Sequence, residues 1–347
     1  MKKLVGALPL ILTALLCLGA FSFSATAFLL GDAPRDTALQ EVGMTPLKGY
    51  TLSTAPSSST LTSPSSDKSS LSSSSVAVNT VPSGALGKIY EQFLSPYRAG
   101  ISYNGIYLKN STGLSVNLKE ELAAGWGTKL SADSRPQVLI VHTHATESYM
   151  DSAKNYYTSA DKSRNTDNSK NVTHIGEIIA DILNDGGIGV LHDRTQHDHP
   201  AYNGSYSRAA KTINEYLDKY PSIKIVVDVH RDSIAMNTSD KCKPTVTIGG
   251  KKAAQVMLVM GSQTGSVTDF PNWRENFRLA IRYQQTMEAL YPGLARPLAF
   301  ASRRYNENLT TGSMILEVGT DANTFEEACY SAELAGKALL SLLNTLK

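Results

Sequence analysis

From Pro136 onward, short unbroken apolar runs alternate with stretches whose apolar residues recur at helical spacing. This alternation restricts the fold more than any other feature of the chain. Val138-Leu139-Ile140-Val141 has the continuous apolar character of a strand covered on both faces. Ile175 to Leu183 repeats apolar residues at helical spacing and stops at Asp185-Gly186-Gly187. Strands are predicted at Ile188 to Leu191, Ile223 to Val229, Val256 to Met260 and Met314 to Val318. Helices are predicted from Ser205 to Tyr220, where Pro221 ends the pattern, and from Trp273 to Leu290. Thr324 stands three residues ahead of Glu327, the spacing of a capping box that opens a final helix. Strands alternating with helices predict an α/β fold: a mostly parallel twisted sheet flanked by helices in three layers.

The part before Pro136 is built differently. Lys2 and Lys3 precede an uncharged run from Leu4 to Leu30, long enough to cross a hydrocarbon core of about 30 Å as a helix. The two lysines favour keeping the short N-terminal side in the cytoplasm. Residues 1–31 therefore read as a membrane anchor. A cleaved export signal is the alternative, since Ala25-Thr26-Ala27 has a cleavage-site pattern. Either reading exports the rest of the chain. Residues 32–83 include a Ser- and Thr-dominated stretch from Thr51 to Ser83, which has too little apolar surface to offset its ordering entropy and is expected to be a disordered linker. Residues 84–133 read as a small N-terminal extension, with a short helix at Lys88 to Leu94 and a strand at Gly105 to Leu108. Residues 134–347 form the α/β domain.

A formal charge of +2 and the lack of any basic run give no reason to propose nucleic acid as a partner. Cys17 lies in the N-terminal apolar run, and Cys242 and Cys329 are read as separate thiols. Without a C-x-x-C pair a thiolate zinc site is not expected, and without a G-x-S-x-G elbow neither is a serine hydrolase of that type.

In open α/β sheets ligands bind beyond the carboxyl ends of the strands, so those ends decide the chemistry. The first strand runs into His142-Thr143-His144-Ala145-Thr146-Glu147, and the third into Asp228-Val229-His230-Arg231-Asp232. The Met314-to-Val318 strand carries Glu317, a carboxylate whose place in an apolar strand is costly unless it is paired or functional. Three histidines and a carboxylate at one sheet edge form a set that zinc favours when thiolates are absent. His142 and His144, two residues apart, would share a face of an extended chain. His192, His197 and His199 fall in a loop and His174 opens a helix, where loop-ordering, capping or packing roles are expected.

The segments 138–149, 202–207, 226–232 and 315–319 resemble the stage II sporulation protein P family, along with the order of anchor, linker and domain. The resemblance runs from about Gly105 to the C-terminus. It implies an amidase-like fold and a zinc-dependent N-acetylmuramoyl-L-alanine amidase acting on peptidoglycan during forespore engulfment, at the membrane, alongside stage II sporulation protein D. It also implies that His144 and His230 ligate Zn²⁺ and that Glu317 is the general base. The remaining ligand falls to Asp167 or His142, because the glutamate that simpler amidases carry before the first helix is absent from 164–170. Glu147 then becomes an outer partner orienting a histidine. Arg231 and Asp232 either orient His230 or the substrate or form a structural salt bridge. A wall-binding scaffold without catalysis is the alternative function.

Overall fold

The computed structural model describes residues 81–347. The anchor or export segment, and the linker apart from its last three residues, lie outside the described residues. Among the described residues, no helix is long and apolar enough to cross a membrane.

The fold is mixed α/β, and its centre is an eight-stranded sheet. The contributing strands are β2 (Ile101–Tyr103), β3 (Ile106–Asn110), β4 (Pro136–Val141), β6 (Gly189–His192), β7 (Ile225–Asp232), β10 (Val256–Gly261), β11 (Leu298–Ala301) and β12 (Ser313–Thr320). Their spatial order is β2-β3-β11-β10-β12-β7-β4-β6. Neighbours run parallel except at β2–β3 and β10–β12. Central strands β7 and β10 are buried along their whole length, which explains the apolar run of β10 and the β-branched start of β7.

Helices cover both faces. On one face, α2 (Val172–Asp185), α4 (Trp273–Leu290) and α5 (Phe325–Asn344) pack their buried residues against Val138, Ile140, Val227, Leu258 and Leu316. On the other, α3 (Ser205–Lys219) packs through Ile213 against Leu139, Val141 and Val226. The alternate residues of each strand therefore serve two cores. A short helix, α1 (Leu118–Ala124), starts at Asn117, whose side chain accepts from the Lys119 and Glu120 amides. Helix α5 starts with the expected capping box: Thr324 Oγ1 accepts from the Glu327 amide, and Glu327 Oε2 accepts from the Thr324 amide, both at 3.1 Å.

A second sheet runs in the order β5-β1-β8-β9, from Tyr156–Tyr157, Gly87–Gln92, Lys241–Ile248 and Lys251–Ala254. The helix expected at Lys88 to Leu94 is instead strand β1. Its Ile89 is buried while its neighbours face outward, and it pairs in parallel with β8 from Ile89–Lys241 to Gln92–Pro244. Burial of Ile89 and long-range pairing override a weak local helical tendency. Residues 84–133 thus supply β1 to the small sheet and β2 and β3 to the large one. Cys242 and Cys329 are free thiols.

Candidate active site

Strand β4 ends at Val141, and the chain leaves the extended form at His142. Alternation of faces stops there, so His142 and His144 diverge. His142 Nδ1 lies 3.0 Å from the Val229 carbonyl oxygen, to which it can only donate. In a neutral ring its Nε2 must then accept, and His192 Nε2, 2.8 Å away, supplies the proton. Burial keeps both rings neutral, pushing His142 down to about 4 and His192 to about 3. Neither nitrogen of His142 is left for a metal.

His144 points toward α3. Its ring stacks on Tyr202 at 4.6 Å between centroids and meets Tyr206 edge-on at 5.5 Å. The Tyr202 hydroxyl stands 3.3 Å from His144 Nε2. On Tyr202 rests the Arg164 guanidinium, 4.8 Å from the ring centroid and paired with Asp198. The His144 ring also stands perpendicular to that of His230, 5.2 Å away. Burial lowers His144 to about 4.

His230 lies on β7, in register with Glu317 on the neighbouring β12. Its Nδ1 is 3.5 Å from Glu147 Oε2. Its Nε2 is 2.9 Å from Asp228 Oδ1, close enough for an ion pair though not aligned as a hydrogen bond. Asp228 in turn accepts from the Thr143 amide at 2.8 Å and from Thr143 Oγ1 at 2.5 Å. Burial opposes protonation of His230, but Asp228 and Glu147 outweigh it and hold the ring well above the usual histidine range.

Glu147 is fully buried in the turn after β4, where its amide donates to the His144 carbonyl. Burial would raise its carboxyl, yet the charges of Arg231 and His230 draw it far below the ordinary carboxylate range. Its Oε2 accepts from the Arg231 amide at 3.1 Å. Its Oε1 accepts no hydrogen bond, with Arg164 Nη2 and Arg231 Nη1 each 4.0 Å away. Glu317 keeps part of its surface open, while its Oε2 is buried and unpaired. Burial lifts its carboxyl to about 8 against the pull of His230.

Of the residues singled out in sequence, the structure brings His144, Glu147, His230 and Glu317 together. It does not bring Asp167 to them: that side chain is exposed, accepting from the Ser169 amide and hydroxyl and facing Lys170 at 3.8 Å. Arg231 is fully buried and donates to the Ser148 and Ser163 carbonyls at 3.1 and 2.8 Å, which fixes the turn that carries Glu147. Asp232 accepts from Arg296 Nη1 at 2.8 Å. Asp228 went unassigned in the sequence, although its i, i+2 relation to His230 on an extended strand is a readable signal.

Two imidazoles and a carboxylate are a donor set suited to zinc. Glu147 Oε1 is buried without a hydrogen bond, with the Arg164 and Arg231 guanidinium groups as its neighbouring charges. Among the described residues, no group of three His, Cys, Asp or Glu side chains stands in an arrangement that could hold a metal ion. His144, Glu147 and His230 fit zinc in kind, and His144 and Glu147 both neighbour His230.

A family model described as stage II sporulation protein P matches residues 87–339. The chain belongs to the stage II sporulation protein P family. The family member of Bacillus subtilis (strain 168) is 29% identical over 218 residues, which make up 60% of this chain and 51% of that protein. The chain thus spans about half the length of the curated relative it matches. Among solved structures, the N-acetylmuramoyl-L-alanine amidase AmiC2 of Nostoc punctiforme overlaps at a TM-score of 0.36 and 11% identity, over 61% of this chain and 97% of that one. The N-acetylmuramoyl-L-alanine amidase of Clostridium difficile 630 overlaps at 0.38 and 12%, again over 61% and 97%.

Proposed function

We propose that this chain is a zinc-dependent peptidoglycan hydrolase of sporulation, an N-acetylmuramoyl-L-alanine amidase. The scissile bond joins the lactyl group of muramic acid to the L-alanine of the stem peptide. The N-terminal segment holds the domain at the outer face of the cell membrane, where stage II sporulation protein D works beside it. Family membership supports the setting. The chemistry rests on one observation: His144, Glu147 and His230 meet at the strand ends, and Glu317 stands in register with His230 on the next strand.

His144, Glu147 and His230 would hold the zinc; Asp167 and His142 would not. Bound there, the ion would supply Lewis-acid polarisation of an amide carbonyl and make water acidic enough to be deprotonated near neutral pH. Asp228 and Tyr202 keep the two imidazoles turned by standing at their Nε2 atoms. Arg231 fixes the Glu147 turn through the Ser148 and Ser163 carbonyls. Glu317 takes the proton of the attacking water and hands it to the departing amine. Burial alone would leave this carboxyl protonated at neutral pH, and a divalent cation held beside it would favour the ionised form that a base needs.

The reading is tested by digesting purified cell walls with the full chain and with Glu317→Gln. The wild type is expected to release stem peptides with new L-alanine amino termini. The variant is expected to keep its zinc and lose about 10²–10⁴-fold in rate. Wild-type digestion by Glu317→Gln would remove the glutamate from this role. A zinc-free wild type that binds walls without cutting them would favour the scaffold function.

A further inference from the structure

The loop between β11 and β12 carries a side chain that the proposed zinc chemistry leaves unused. Tyr305 and Asn306 have φ of 47° and 61°, left-handed conformations that cost a residue with a Cβ free energy. The loop is pinned on both sides. Glu307 Oε2 accepts from the Gly261 amide at 2.7 Å, its carbonyl accepts from Asn276 Nδ2 at 2.6 Å, and Asn306 Nδ2 donates to the Tyr206 carbonyl at 2.8 Å. These contacts hold the strained pair in place.

They lay the Tyr305 ring on the sheet face that bears Glu317. The ring packs on Met257, Val259, Ala299 and Ile315. Met257 is the β10 partner of Glu317, and Ile315 precedes Glu317 by two residues on the same face of β12. The ring also lies 6.2 Å from that of Tyr206, which meets His144 edge-on. At its tip the hydroxyl is buried without a hydrogen-bond partner. Few native polar groups are left so, and those that are often serve a ligand or a reaction. Burial, with the charges of Glu307 and Glu317 behind it, pushes the phenol up, so it remains a donor.

We propose that the Tyr305 hydroxyl is a catalytic hydrogen-bond donor that receives the carbonyl oxygen of the scissile amide as it becomes an oxyanion. The role rests on the hydrolase reading. Water adds to the carbonyl carbon, the π pair moves onto oxygen, and the Tyr305 O–H donates to that oxygen without giving up its proton. When the pair returns, the C–N bond breaks and the amine leaves with the proton carried by Glu317. The products are the free carboxylic acid and the free amine. A donor aimed at charge present only in the transition state acts on turnover and not on substrate capture.

The test compares the full-length wild type with Tyr305→Phe, which keeps the ring and deletes the hydroxyl. Three quantities are read: kcat and KM on soluble muramoyl-peptide fragments, zinc content, and thermal midpoint. Expected is a fall in kcat of about 10²–10³-fold with KM and zinc unchanged. The midpoint should hold or rise, because an orphaned hydroxyl has been removed. Unchanged kcat, a change confined to KM, or a loss of kcat that tracks a lower midpoint overturns the role while the hydrolase reading stands. A wild type that cuts no fragment overturns the hydrolase reading and this role together.

Discussion

Asp228 shows how much a single side chain contributes to this site. It stands two residues before His230 on the same strand face, with its Oδ1 2.9 Å from His230 Nε2, and this leaves Nδ1 turned toward Glu147. Two donors from Thr143 hold the carboxylate still. Outer partners of metal-binding histidines typically carry 10- to 100-fold in metal affinity. Asp228→Asn, which keeps the shape and gives up the charge, is expected to weaken zinc binding by about that factor in a chelator competition. Unchanged affinity would reduce Asp228 to a structural partner of Thr143. At this scale the sequence was partly legible. His144, His230 and Glu317, singled out from their places at strand ends, are residues that the structure brings together. Glu147 was read as an outer partner, with Asp167 and His142 in its stead, because chain order does not show where a turn sends its side chains. The turn after β4 carries Glu147 inward beside His230, whereas Asp167 satisfies its own loop.

At the scale of elements, α2 meets the end of β4 at Gly176. A Cβ there would stand 2.6 Å from His142 Cε1 and Nε2, and 3.1 Å from His192 Nε2. Glycine in a helix interior ordinarily costs about 1 kcal/mol relative to alanine, so Gly176→Ala would stabilise a free helix. Here the methyl meets two hydrogen-bonded rings, and overpacking of this kind costs about 1–3 kcal/mol. The expected net effect is a thermal midpoint lowered by a few degrees; a raised midpoint would show that the histidine pair yields easily. The strongly patterned elements were legible: the buried strands, α2 with its stop at Gly186-Gly187, α4, and the capping box of α5. The small sheet was not. Strand β1 is short, and its partner β8 begins about 150 positions later, so no local pattern announces the pairing. The β8–β9 turn did leave a signal, Gly249-Gly250, both at positive φ as a two-residue hairpin of this type requires.

At the scale of the whole molecule, the site exists only because the sheet brings distant segments side by side. His144 and Glu147 follow β4, His230 lies on β7, and Glu317 lies on β12, three consecutive strands in space. The region before Pro136 is woven into this architecture, through β3 beside β11 and β1 beside β8. The α/β class was therefore legible from alternation, and the strand-end rule picked out His144, His230 and Glu317 as the residues to follow. The placing of Glu147 beside them was not, since it depends on the assembled turn. The measurement that bears most directly on this is zinc content of the purified full chain, taken for wild type, Glu147→Ala and Asp167→Ala. About one zinc per chain in the wild type and in Asp167→Ala, with loss in Glu147→Ala, is the expected result. Zinc retained by Glu147→Ala and lost by Asp167→Ala would contradict the assignment of His144, Glu147 and His230 as the metal-holding set.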